Sequence, residues 1–200
     1  MSEPSATLTQ PTLACHLLPS VSGSLAGKVF LVISGSILLW LSAKISVPFM
    51  PVNMTMQLFV VLAMALALGG RLAAAAVLVY LAQGASGLPV FTDTPAKGIG
   101  FAYMIGPTGG YLAGFLVAAG LTGWLADRGW SRNPVHAVAA AAVGAVAVYV
   151  LGLAWLGTLV GWDKPVLAWG LYPFLVPDLV KVALAGLIVS GTWNLVKRDN

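Results

Sequence analysis

VHAVAAAAVGAVAVYVLGLAWLGTLV, residues 135–160, runs without a single Asp, Glu, Lys or Arg. A helix needs about 20 apolar residues to cross a hydrocarbon core of roughly 30 Å, and this run exceeds that. Its apolarity is continuous rather than alternating, so it reads as a membrane helix and not as a barrel strand. The alanine-rich stretch from Ala137 to Ala142, with Gly144, Gly152, Gly157 and Gly161, offers small faces on which other helices can pack.

Five more apolar runs lie on either side of it. They cover about Gly27–Ser42, Met54–Leu68, Leu72–Gln83, Thr108–Ala126 and Leu175–Val196. The second and third are short for a full span. Gly69-Gly70-Arg71 between them marks a sharp turn, so the two read together as a helical hairpin. Gly106, Gly110 and Gly114 recur every four residues, a spacing that lets helix backbones approach closely. The expected fold is an all-α membrane protein of six transmembrane helices with folded outer loops. Residues 26–200 would form that single domain, and residues 1–25, rich in Ser, Thr and Pro, a tail without fixed order. The tail lacks the basic and apolar regions of a signal peptide, so the first run is expected to be retained as a span.

The chain has 200 residues, 59% hydrophobic and 8% charged. A soluble domain carries about 25% charged residues, so a water-covered surface is excluded. The net charge of +4 comes from scattered Lys and Arg, with no basic patch for nucleic acid. With six spans, Lys28, Arg71, Arg128, Arg132, Lys197 and Arg198 share one side, against Lys44, Lys97 and Lys164 on the other. The positive-inside rule then places both termini in the cytoplasm. The outer connections, Ile45–Asn53, Gly84–Gly106 and Gly161–Pro173, are the long ones. The middle one holds Leu88-Pro89-Val90-Phe91 and Ile99–Ile105, apolar pieces that suggest a loop folded onto the bundle.

Asp178 and Lys181 are the informative polar pair. They stand three apart, hence on one helix face, just after Pro177, which reads as a helix start. Ionisable residues within a span normally face the bundle interior or a cavity. The plainer alternative is a neutral pair that anchors the helix at the interface. Asn53 and Gln57 sit at the same outer level, one turn apart at the start of the second span. So do Tyr80 and Gln83 at the end of the third, with Lys97 in the long loop. A ligand pocket open to the outside would draw on these groups. The outer side carries one positive charge in excess, Lys44, Lys97, Lys164 and Lys181 against Asp93, Asp163 and Asp178, which weakly favours an anionic ligand.

Enzyme motifs fare poorly. No P-loop is present, and Gly98-Ile99-Gly100 lacks the third glycine of a dinucleotide site. Cys15 is the lone cysteine, and His16 and His136 have no partner at metal-ligand spacing. No cofactor is expected. Gly84-Ala85-Ser86-Gly87 matches the G-x-S-G of rhomboid intramembrane proteases. Its only candidate base, His136, would lie about 30 Å away across the bilayer, far beyond the hydrogen-bond reach a Ser–His pair needs.

Pro51-Val52-Asn53-Met54-Thr55-Met56-Gln57, Gly69-Gly70-Arg71-Leu72, Tyr80-Leu81, Gly87-Leu88-Pro89-Val90-Phe91 and Gly106-Pro107-Thr108-Gly109-Gly110-Tyr111-Leu112-Ala113-Gly114-Phe115, with Pro177-Asp178-Leu179-Val180-Lys181, resemble the BioY family. These are the biotin-binding membrane subunits (S components) of energy-coupling factor transporters. The resemblance runs from about Val47 to the end and keeps order and spacing. It implies biotin uptake, not catalysis, across a bacterial cytoplasmic membrane, with outer loops closing over one biotin. It assigns Gln83 and Asp178 to the ureido group, Lys97 and Lys181 as donors, one of them to the carboxylate, and Tyr80, Leu88, Val90 and Phe91 to the bicycle. Asn53 and Gln57 come second. It also implies a transmembrane coupling protein and cytoplasmic ATPases as partners. The family's A-x-x-x-A docking face on the first helix is not plainly present in Phe30-Leu31-Val32-Ile33-Ser34-Gly35-Ser36-Ile37. An S component for another vitamin, such as thiamin or riboflavin, is the alternative within the fold. A purely structural membrane protein is the alternative outside it.

Overall fold

The computed structural model describes residues 12–198. Two short helices, α1 (Leu13–Leu17) and α2 (Pro19–Gly23), lead into α3 (Leu25–Lys44). A strand pair follows, β1 (Ser46–Val47) and β2 (Met54–Thr55), and then α4 (Gln57–Leu68) and α5 (Gly70–Ala85). The long loop carries α6 (Gly100–Met104). Beyond it come α7 (Gly109–Ala126), a 3-10 turn at Trp130–Arg132, α8 (Pro134–Val160), α9 (Val166–Gly170) and α10 (Tyr172–Arg198).

Among the described residues, four segments are long and apolar enough to cross a membrane: Leu25–Lys44, Gly109–Ala126, Pro134–Val160 and Val166–Val196. The other two apolar helices, α4 and α5, have 12 and 16 residues, or roughly 18 and 24 Å at 1.5 Å per residue. The structure therefore supports a mostly helical membrane fold. Of the expected tail, residues 1–11 lie outside the described residues. Residues 12–23 form α1 and α2, and Leu13 joins the core.

The Gly69-Gly70-Arg71 turn has a physical cause. Gly69 takes φ +82°, a region that favours glycine. The Gly70 N–H then donates to Asp127 Oδ2 at 3.1 Å, so a carboxylate from the end of α7 caps α5. Gly114 of α7 lies against α8, where a Cβ would come within 2.7 Å of the Val148 α-carbon. Gly110 is packed the same way against Trp155 of α8. α4 is the central helix and touches α5, α7, α8 and α10. Val61, Leu62, Ala65 and Leu66 on α4, with Ala118 on α7, Ala140 on α8 and Ala185 on α10, are wholly buried between them.

Three local expectations are corrected. Residues 54–55 are a strand paired in register Ser46↔Thr55 and Val47↔Met54, so α4 begins only at Gln57. Asn53 therefore lies ahead of the helix, not one turn before Gln57 on it. Pro177 does not start the last helix. α10 begins at Tyr172, with Pro173 in its first turn, where a missing N–H costs nothing, and it takes Pro177 inside it.

The helices alternate in direction, which separates the molecule into two ends. One end holds the Gly69 turn, Asp127, the 3-10 turn and the foot of α10. There the Trp193 indole N–H donates to Ser131 Oγ at 3.2 Å, and His16 of α1 lies 5.4 Å from the same ring. The other end holds the strand pair, the long loop and the start of α10. Ser86 and His136 fall at opposite ends. Ser86 donates to its own helix at Gln83 O, 2.7 Å away, and His136 lies 5.3 Å from the ring of Trp130.

Candidate functional site

The end that carries the long loop encloses a cavity of about 610 Å³, counting its open mouth. Val52, Asn53, Met54 and Thr55, ahead of the start of α4, form one wall of it.

Asp178 and Lys181 face the cavity from α10, each 8% exposed. Lys181 Nζ lies 2.6 Å from Asp178 Oδ1 and donates to the Thr55 carbonyl at 2.7 Å. Tyr149 of α8 donates to Asp178 Oδ2 at 2.5 Å. The pair is neutral overall, which offsets the cost of burying two charges. It also retains capacity. Each carboxylate oxygen has a lone pair to spare, and the ammonium has a third N–H. A neutral polar group with a donor beside an acceptor fits this surface.

A second polar strip crosses from α4 to α5. Gln57 Nε2 donates to Tyr80 Oη at 2.8 Å, and that hydroxyl donates to the Val90 carbonyl at 3.3 Å. Above it, Phe91 stacks on Tyr103 with ring centroids 4.9 Å apart and planes at 16°. Leu58, Leu112, Phe115, Val148 and Phe174 complete an apolar wall.

At the mouth, Asn53 ties the wall to the loop. Its Nδ2 donates to Asp93 Oδ2 at 2.5 Å, and its Oδ1 accepts from Lys97 Nζ at 3.1 Å. Lys97 and Asp93 form an ion pair at 2.7 Å. The Lys97 hydrogen bond, and then that of Asn53, hold the Asp93 carboxyl below the usual carboxylate range. Burial pushes the Tyr103 hydroxyl up, so it stays neutral at physiological pH. Lys44 at the end of α3 donates to Phe91 O at 2.8 Å and to Thr94 Oγ1 at 3.2 Å. Two lysines and one aspartate leave a single positive charge around the mouth.

Of the residues singled out in the sequence, Asn53, Gln57, Tyr80, Phe91, Asp178 and Lys181 line this cavity. Lys97 lines an adjoining one, which shares Asn53, Thr92, Tyr103 and Thr108 with the first. Val90 is buried behind the lining and Leu88 is half exposed. Gln83 turns toward α3, donating to Ser36 Oγ at 3.4 Å, and is not among the lining residues. Sequence reading missed Tyr103, Tyr111 and Tyr149, although four of the chain's five tyrosines line the cavity. Tyr149 left a trace: between Ala137 and Gly157 the only polar side-chain atoms are its hydroxyl and the Trp155 indole nitrogen.

Fold and cavity together define a helical membrane protein with a chamber at one end whose floor is polar. Residues 12–198 match the profile of the BioY family, and the chain belongs to that family. The probable biotin transporter BioY of Pyrococcus horikoshii is 37% identical over 148 residues, 74% of this chain and 85% of that protein. The biotin transporter BioY of Thermotoga maritima is 37% identical over 151 residues, covering 76% and 86%. A crystal structure of the S-component for biotin from an ECF-type ABC transporter superposes with TM-score 0.70 and 22% identity. That match covers 86% of this chain and 91% of the other.

Proposed function

We propose that this chain is a biotin-uptake subunit: it captures biotin at the outer face of a bacterial cytoplasmic membrane and carries it across. The observation that carries the reading is the buried Asp178–Lys181 pair on the cavity floor, with Tyr149 on the free carboxylate oxygen. A ureido group is neutral and sets N–H donors beside a carbonyl acceptor. Asp178 accepts from the N–H groups, and Lys181 donates its third proton to the carbonyl. Asn53, Gln57 and Tyr80 are further polar partners, and Phe91 with Tyr103 packs on the bicycle. The carboxylate tail leaves toward the single positive charge at the mouth, where Lys97 stands.

α3, α4, α5, α7, α8 and α10 are the six spans, with both termini in the cytoplasm and the cavity outside. The Lys and Arg distribution supports that orientation. By analogy with the energy-coupling factor architecture, a transmembrane coupling protein and cytoplasmic ATPases are its partners. The subunit itself does no chemistry.

Equilibrium binding of radiolabelled biotin to the purified protein alone in detergent tests this, with thiamin and riboflavin as competitors. Saturable binding displaced by unlabelled biotin alone is expected. Displacement by thiamin or riboflavin, or no binding by folded protein, would remove the biotin reading.

A further inference from the structure

Gly84 belongs to the Gly84-Ala85-Ser86-Gly87 stretch that has no catalytic use. It is buried in the last turn of α5. A Cβ built there would stand against Phe91 Cζ and Cε2 and only 2.6 Å from Cε1. The Phe91 ring thus lies flush on the bare α-carbon. We propose that Gly84 is a positioning residue: its missing side chain lets Phe91 sit back against α5 and keeps the chamber open.

The neighbours of Phe91 restrict where a displaced ring can go. Tyr103 is stacked on one face at 4.9 Å. Tyr80 stands edge-on at 5.5 Å and 87°, fixed by its bonds to Gln57 and to the Val90 carbonyl. The backbone cannot retreat easily either, because Lys44 and Thr94 both hold the Phe91 carbonyl, at 2.8 and 2.7 Å. Phe91 lines the cavity, so on that side the ring meets open space. Any side chain at position 84 turns the ring into the space that the ligand occupies. Helix propensity works in the opposite direction, since alanine favours a helix over glycine. A loss of binding in Gly84→Ala therefore does not come from a weakened α5.

The effect on binding rests on the biotin reading, but the placement of the ring does not. The test uses the full chain in detergent with 3-fluorotyrosine at position 103, whose fluorine resonance senses the stacked ring. Gly84→Ala is expected to shift that resonance, as Phe91→Leu does. Gly84→Ala should also weaken biotin binding by about tenfold or more, and Gly84→Ala/Phe91→Leu should return to within about threefold of Phe91→Leu. A fluorine resonance unmoved by Gly84→Ala overturns the inference. So does a double variant that binds as poorly as Gly84→Ala. If the parent protein binds no biotin, the functional reading fails by itself, and the fluorine shift still decides for or against the displaced ring.

Discussion

Lys181 is committed at two of its three N–H groups, to Asp178 and to the Thr55 carbonyl, and this makes it the most consequential single side chain. Its removal leaves a buried carboxylate with only Tyr149 for compensation. Losing one partner of a buried pair costs about 3–5 kcal/mol of stability. Losing a hydrogen bond from a charged donor costs about 1.5–3 kcal/mol of binding, or roughly 10- to 150-fold in affinity. Lys181→Met is therefore expected to unfold earlier on heating in detergent and to bind biotin that much more weakly. Asp178→Asn/Lys181→Met removes both charges, so it should regain much of the thermal midpoint and none of the affinity. Wild-type affinity in a folded Lys181→Met protein would take this residue out of the site. The same physics made the pair legible in the sequence, because two charges in an apolar run must find each other or a cavity. The tyrosines were not legible that way. A phenol buries an aromatic ring while its hydroxyl finds one partner, so Tyr103 and Tyr111 look like packing residues until their surroundings are known.

At the level of elements, the loop between α5 and α7 is the part held by charge. Asp93, Lys97 and Asn53 form one linked group, and Lys44 joins the loop to the end of α3. Asp93 has a depressed folded-state pKa. The stabilisation it brings is complete above the unfolded carboxyl value of about 3.9 and disappears as pH falls through that value toward the folded one. The thermal midpoint in detergent should be flat from about pH 5 to 8 and should drop below about pH 4. Asp93→Asn should show a smaller acid drop, and an equal drop in both proteins would assign the acid limb to another carboxylate. The helices themselves were readable because long apolar runs are unambiguous in lipid. Their ends were less so. Met54 and Thr55 are apolar enough to extend α4, yet they pair with Ser46 and Val47. Gln83 and Gln57 stand at the same level on neighbouring helices, yet one turns to Ser36 and the other to Tyr80. Which way a side chain faces depends on helix rotation, and a run with apolar residues on every side carries no signal for rotation.

The whole molecule has two chemically distinct ends, and its direction in the membrane decides whether the cavity can load from outside. Arg71, Arg128 and Arg132 gather at the end away from the cavity, which in the proposed orientation is the cytoplasmic end. The chain has its own reporter for this, since Cys15 is its one cysteine and is exposed on α1. In intact cells an impermeant maleimide should leave Cys15 unlabelled and should label it once the membrane is permeabilised. Two variants built on Cys15→Ser bracket the bundle. Asp163→Cys, exposed in the connection after α8, should label in intact cells, and Arg128→Cys, exposed at the end of α7, should not. The pattern depends on every helix counted between the reporters. Arg128 and Asp163 are separated by α8 alone, so opposite labelling requires that α8 crosses. Cys15 and Arg128 are separated by α3, α4, α5 and α7, so equal labelling requires an even number of crossings among these four, two of which are short. Were α4 and α5 a hairpin that failed to cross, the count would remain even and the pattern unchanged. A cysteine in place of Arg71, at the turn between them, separates the cases: it stays protected in intact cells if the hairpin crosses and becomes labelled if it does not.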